Sequence, residues 1–278
     1  MAGSASDSSP SVPVFIHDRL AVTITAILLA TASISWVASY YLMPVMMSDS
    51  SGMMAGMGVA AIVSSLSLPA VALFEVVWVI GMAAMMFPAM IPMVLFYNQI
   101  KTKLETNPTL ARVAGTPLFL AGYLVTYALL GVGAYLAVYA AFILSSTFPA
   151  LVGLSFVAPS AVLVAAGVYQ FTSLKNRCLS QCISPFGFFA TRTRTGLTGA
   201  FRMGFGHGIF CVGCCWAFML VMLAVGAMSI PIMAALAGVI ALEKIVVKGS
   251  VWFNRIVGFA LVSFGILVAF IPSVLASV

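Results

Sequence analysis

Residues 203–228 read MGFGHGIFCVGCCWAFMLVMLAVGAM, a run with no Asp, Glu, Lys or Arg in it. At 1.5 Å of rise per residue it makes a helix of about 39 Å, enough to cross a hydrocarbon layer about 30 Å thick. Six further runs share its character: 20–42, 71–97, 117–144, 157–174, 230–247 and 251–271. None alternates with a period of two, and all far exceed the roughly ten residues of a spanning strand, which excludes a β-barrel. Composition agrees. The 278 residues are 63% hydrophobic and 6% charged, whereas a soluble domain is about 25% charged and about half apolar. The expected fold class is an all-α, polytopic membrane helical bundle of about seven transmembrane helices.

Residues 1–18 are Ser-rich, lack the basic and short apolar regions of a cleaved leader, and read as a disordered cytoplasmic tail. Residues 19–278 read as a single transmembrane helical domain. Segment 59–69 is either an interfacial helix or the start of the second span.

The net charge of +6 is not a nucleic-acid signal, because the basic residues fall in short segments between apolar runs, where they set orientation. Arg19 precedes the first span, and Lys101, Lys103 and Arg112 follow the second. Lys175, Arg177, Arg192, Arg194 and Arg202 lie between the fourth and fifth, and Lys244, Lys248 and Arg255 between the sixth and seventh. All twelve then share one side, with the N-terminus inside and the C-terminus outside a cell (plasma) membrane.

Within 203–228, His207, Cys211, Cys214 and Cys215 recur every three or four residues and project as one helical stripe. Thiolate, thioether and imidazole are the donors that select Cu(I), with zinc as the alternative. One helix cannot close such a site, so another span must contribute. The bland reading is that cysteine is a small apolar residue and the neighbouring glycines permit close packing; three thiols and a histidine on one face weigh against it. A redox pair of Cys211 and Cys214 is a further reading, opposed by poor aqueous access at mid-membrane depth.

Methionine supplies two more features. Met43, Met46, Met47, Met53, Met54 and Met57 crowd the segment between the first two spans, outside the cell, where a thioether stays a Cu(I) ligand because it forms no disulfide. This is expected to be a metal-capture loop. In the second span Glu75, Met82, Met86, Met93 and Tyr97 share a face, and Pro88 and Pro92 should kink the helix. Met82 and Met86 are expected to meet the cysteine stripe, and an apolar-core reading of them is as good. Glu75 calls for a polar cavity or partner.

Segment 169–185 holds Cys178 and Cys182, four apart, beside Lys175 and Arg177, which would favour thiolate. It reads as a cytoplasmic transfer station below the main cluster. Glu243 and Lys244 are expected to pair with each other or with this segment, or simply to reach the interface.

Three stretches, MAAMMFPAMIPMVLFY (82–97), YQFTSLKNRCLSQCISPFGFF (169–189) and GFGHGIFCVGCCWAFMLVMLAVGAMS (204–229) followed by LEKIV, resemble the predicted metal-binding integral membrane protein family, a group sometimes described as copper chaperones. The resemblance implies a metal site at His207, Cys211, Cys214 and Cys215, with Cys178 and Cys182. The Met-rich outer loop is not part of it.

The expected function is Cu(I) handling, either transport or delivery to a membrane metalloenzyme, with that complex or a copper donor or acceptor protein as partner. The alternatives are an accessory subunit of a membrane oxidase or monooxygenase, and a membrane thiol–disulfide oxidoreductase. No ATPase, hydrolytic or phosphate-binding constellation is visible, so no enzyme is expected.

Overall fold

A computed structural model describes residues 19–47, 66–104, 113–148, 157–226 and 229–270. The tail 1–18 and most of segment 59–69 lie outside them, and helix begins at Leu68. Among the described residues every regular element is helical. They are α1 (Arg19–Met47), α2 (Leu68–Leu104), α3 (Gly115–Thr147), α4 (Val157–Tyr169), α5 (Ser173–Ile183), α6 (Pro185–Arg192), α7 (Gly196–Gly226), α8 (Ile230–Ala241), a π-helical turn (Leu242–Val246) and α9 (Val251–Phe270).

Helices α1, α2, α3, α7 and α9 are each long and apolar enough to cross a membrane. A sixth candidate is the pair α4 and α5, which meet at 68°. Among the described residues, length and composition thus mark five or six candidate spans against the expected seven, for two local reasons. The run 157–174 is cut by a tight turn in which the Gln170, Phe171 and Thr172 amides bond back three residues, and Thr172 then caps α5 by accepting from the Lys175 amide at 3.3 Å. The run 230–247 divides into a twelve-residue helix and the π turn. Pro88 and Pro92, expected to kink α2, sit within a single helix of 37 residues.

The basic stretch between α4 and α7, read as a loop, folds as α5 and α6. Ser184 caps α6, accepting from the Gly187 amide at 3.2 Å, and Pro185 occupies the first turn, where a missing amide costs nothing. Both helices pack inward, so Lys175 is fully buried.

Helices α3 and α7 form the central crossing. A Cβ on Gly204 would lie 1.9 Å from the Phe119 carbonyl oxygen, and one on Gly122 2.2 Å from that of Phe201. Only glycine allows backbones this close, and the approach lets Thr126 Oγ1 donate to the Phe205 carbonyl at 3.1 Å. Helix α2 packs on α1 and α3, α5 on α7, and α4 on α7 and α9. Together they wrap the buried face of α7.

Candidate metal centre

The stripe on α7 is where the sequence places it. His207 and Cys211, Cys214 and Cys215 are all buried, none more than 2% exposed, and no cysteine of the chain is in a disulfide. The sulfurs that converge, however, are Cys182, Cys211 and Cys214, all within 4.8 Å of one another. Cys182 arrives because α5 folds back against α7, bringing its Sγ to 3.7 Å from that of Cys214. The separate transfer station is therefore corrected: Cys182 belongs to the central cluster. Cys178 faces the same helix one turn earlier, where a Cβ on Gly213 would lie 2.7 Å from its sulfur.

Cys215 and His207 flank the triad. The Cys215 thiol donates to the Cys211 carbonyl at 2.7 Å, as Cys214 does at 3.1 Å. His207 lies one turn before Cys211, about 6 Å along the axis. Its ring sits among Phe119, Tyr123 and Phe188, with centroids 6.4, 5.9 and 5.3 Å away. His207 Nδ1 is buried without a hydrogen-bond partner among the described residues. An unsatisfied buried nitrogen is costly, and a soft cation would satisfy it.

Three groups around the sulfurs escaped the sequence reading. Tyr123, from α3, places its hydroxyl 3.2 Å from Cys211 Sγ, and Tyr127, one turn on, lies 3.8 Å from Cys215 Sγ. Their spacing of four in an apolar span was the available signal. Lys244 is the third, its ammonium donating to Cys211 Sγ at 2.8 Å. Lys244 lies on the π turn, where it and its neighbour Glu243 are both buried.

The cation beside the sulfurs is thus Lys244, and the expected roles of Lys175 and Arg177 are corrected. Lys175 instead forms an ion pair with Glu243 at 2.6 Å, both side chains at most 2% exposed, and donates to Gln170 Oε1. This bears out the pairing of Glu243 with the segment after α4, and removes its pairing with Lys244.

Met82 and Met86 are buried in the same apolar cluster as Cys211, Cys214 and Cys215, but the polar contacts to the sulfurs come from α3, α5 and the π turn. Met43, Met46, Met47, Met53, Met54 and Met57 lie outside the residues whose side chains are described. Both Glu75 oxygens are buried without a hydrogen-bond partner among the described residues, against Gly131 on α3. The polar partner expected for Glu75 is not among those residues.

Three sulfurs, an ammonium and two phenols thus gather in one buried cluster whose thiols could hold a metal ion. A family model described as PpoB2, a copper chaperone, matches residues 75–268, which take in the whole of this site. No curated protein and no solved structure matches the chain.

Proposed function

Because the chain belongs to the PpoB2 copper chaperone family, we propose that it is a membrane-embedded carrier that holds Cu(I) on Cys182, Cys211 and Cys214 and passes it to a membrane metalloenzyme or an acceptor protein. The single supporting observation is the convergence of three thiols from two helices within 4.8 Å. Trigonal thiolate coordination suits Cu(I), whereas zinc asks for a fourth ligand. His207 is not among the ligand atoms that lie within 4.8 Å of one another, so the described residues of the triad favour the three-coordinate metal.

The test is Cu(I) competition against a chelator in detergent. Cys182→Ser, Cys211→Ser and Cys214→Ser should each lose about 100-fold in affinity, roughly 2.7 kcal/mol. Cys178→Ser should stay close to wild type. Equal binding by all four variants sinks the assignment.

A second reading has one observation in its favour. The 3.7 Å between Cys182 and Cys214 sulfurs suits a thiol–disulfide oxidoreductase using that pair. A redox cycle that survives complete metal removal would favour it over copper carriage.

A further inference from the structure

A cavity of ≈ 330 Å³ opens where α6 meets the start of α7, bordered by Arg192, Arg194, Arg202, Thr193, Phe188 and Met203. Its size is that of a small-molecule pocket. Three arginines border it and no acidic residue does. Arg192 is fixed there by stacking, 4.5 Å above the Phe210 ring and 5.8 Å above that of Phe188. Among the described residues no acidic side chain forms an ion pair with any of the three.

What lies behind the pocket gives it a purpose. Met203, on its inner wall, is only 2% exposed, and its thioether accepts the Arg194 amide at 3.4 Å. Met203, His207 and Cys211 follow each other at intervals of four, one face of α7 running from pocket to thiols. Phe188 borders the pocket on one side and the His207 ring on the other. Soft donors therefore descend in a line from the pocket to the triad.

A bare cation would be repelled by three guanidiniums at this mouth, while an anion would be concentrated there. We propose that this pocket is the docking vestibule for an anionic thiolate complex of Cu(I), whose carboxylates the guanidiniums hold while the metal passes to Met203, His207 and the thiols. Planar guanidiniums suit carboxylates through paired hydrogen bonds. The transfer is ligand exchange: copper stays Cu(I), and each departing carrier thiolate takes the proton released by the protein thiol that replaces it. The proposal rests on the copper reading above and adds the form in which the cargo arrives.

The test compares initial loading rates of detergent-purified protein, followed by the growth of copper–thiolate absorbance, from two donors. One is the anionic Cu(I)–glutathione complex, the other the cationic Cu(I)–acetonitrile complex. In Arg192→Gln/Arg194→Gln/Arg202→Gln, loading from the anionic donor should fall about tenfold, while loading from the cationic donor holds or rises. Wild-type loading from the anionic donor should slow as salt is raised. Arg202→Gln alone, an exposed single change, should show the same split in smaller measure if the triple variant folds poorly. An unchanged anionic rate, or an equal fall with both donors, overturns the proposal. So does loss of co-purified anionic phospholipid with no change in loading, which would assign the pocket to a lipid headgroup. Wild-type protein that takes no copper from either donor instead defeats the copper reading itself.

Discussion

Lys244 shows how much one residue contributes to the site. One Cu(I) and three thiolates carry a net negative charge, which an apolar interior tolerates only beside a compensating cation. Lys244, at 2.8 Å from Cys211, would be that cation, and the neighbouring phenols of Tyr123 and Tyr127 would supply neutral dipoles. Replacing it by an apolar residue of similar length leaves the copper complex buried without its counter-charge. Lys244→Met should therefore weaken Cu(I) binding by on the order of 3 kcal/mol, roughly 100-fold, while Lys244→Arg keeps most of the affinity. Competition titration of the two variants decides the matter, and equal affinities would remove the role. Lys244 was visible in the sequence as a basic residue among apolar ones, but its direction was not. That depends on the π turn.

At the scale of elements, α5 decides whether the site has three sulfurs or two. It is short, amphipathic and held from one end by the Lys175–Glu243 pair, buried beneath Gln170 and the Phe218 ring. Breaking a buried pair strands a charge and costs about 3–5 kcal/mol, while replacing both partners by apolar groups is close to neutral. Glu243→Ala should thus lower the unfolding temperature clearly, and Lys175→Met/Glu243→Leu should recover most of the loss. Copper sites in Glu243→Ala should show two sulfur neighbours by X-ray absorption, because α5 no longer holds Cys182 in place. Three sulfurs in that variant would show that α5 docks without the pair. The lesson for reading such sequences is specific. Cys178 and Cys182 looked like a separate station because their surroundings were basic and polar, yet one of the two basic residues, Lys175, is paired internally with Glu243.

The whole molecule bears on orientation. Lys175 is buried completely, Lys244 nearly so, and Lys101 donates to the Arg194 carbonyl at 2.6 Å, so three of the twelve basic residues serve the interior as well as any topology. Helix α4, at about 20 Å, cannot cross a bilayer alone, and α8 with its π turn reaches only about 25 Å. We nonetheless favour an odd number of crossings, with α8 and its turn completing a short one against the packed faces of α2 and α7. Reporters fused to the two termini should then lie on opposite sides of the membrane. Finding both on one side would replace this with an even number and leave α8 as a re-entrant element.

The sequence alone determined that the chain is predominantly apolar and built for helices, and that α7 carries an imidazole and three thiols on one face. Those properties follow from composition and from spacing along a single helix, which are local. It also located the ends of α3 and α9 closely, while α1 runs five residues past its expected end at 42, to Met47. What only the tertiary structure decided is which second element completes the site. Cys182 reaches Cys214 through a 68° bend, Lys244 reaches Cys211 through a π turn, and Tyr123 reaches the same sulfur because two glycines let α3 touch α7. Each is a contact between residues more than thirty positions apart, made by a local break in helical regularity or by close backbone approach. Periodicity along one helix carries no information about either.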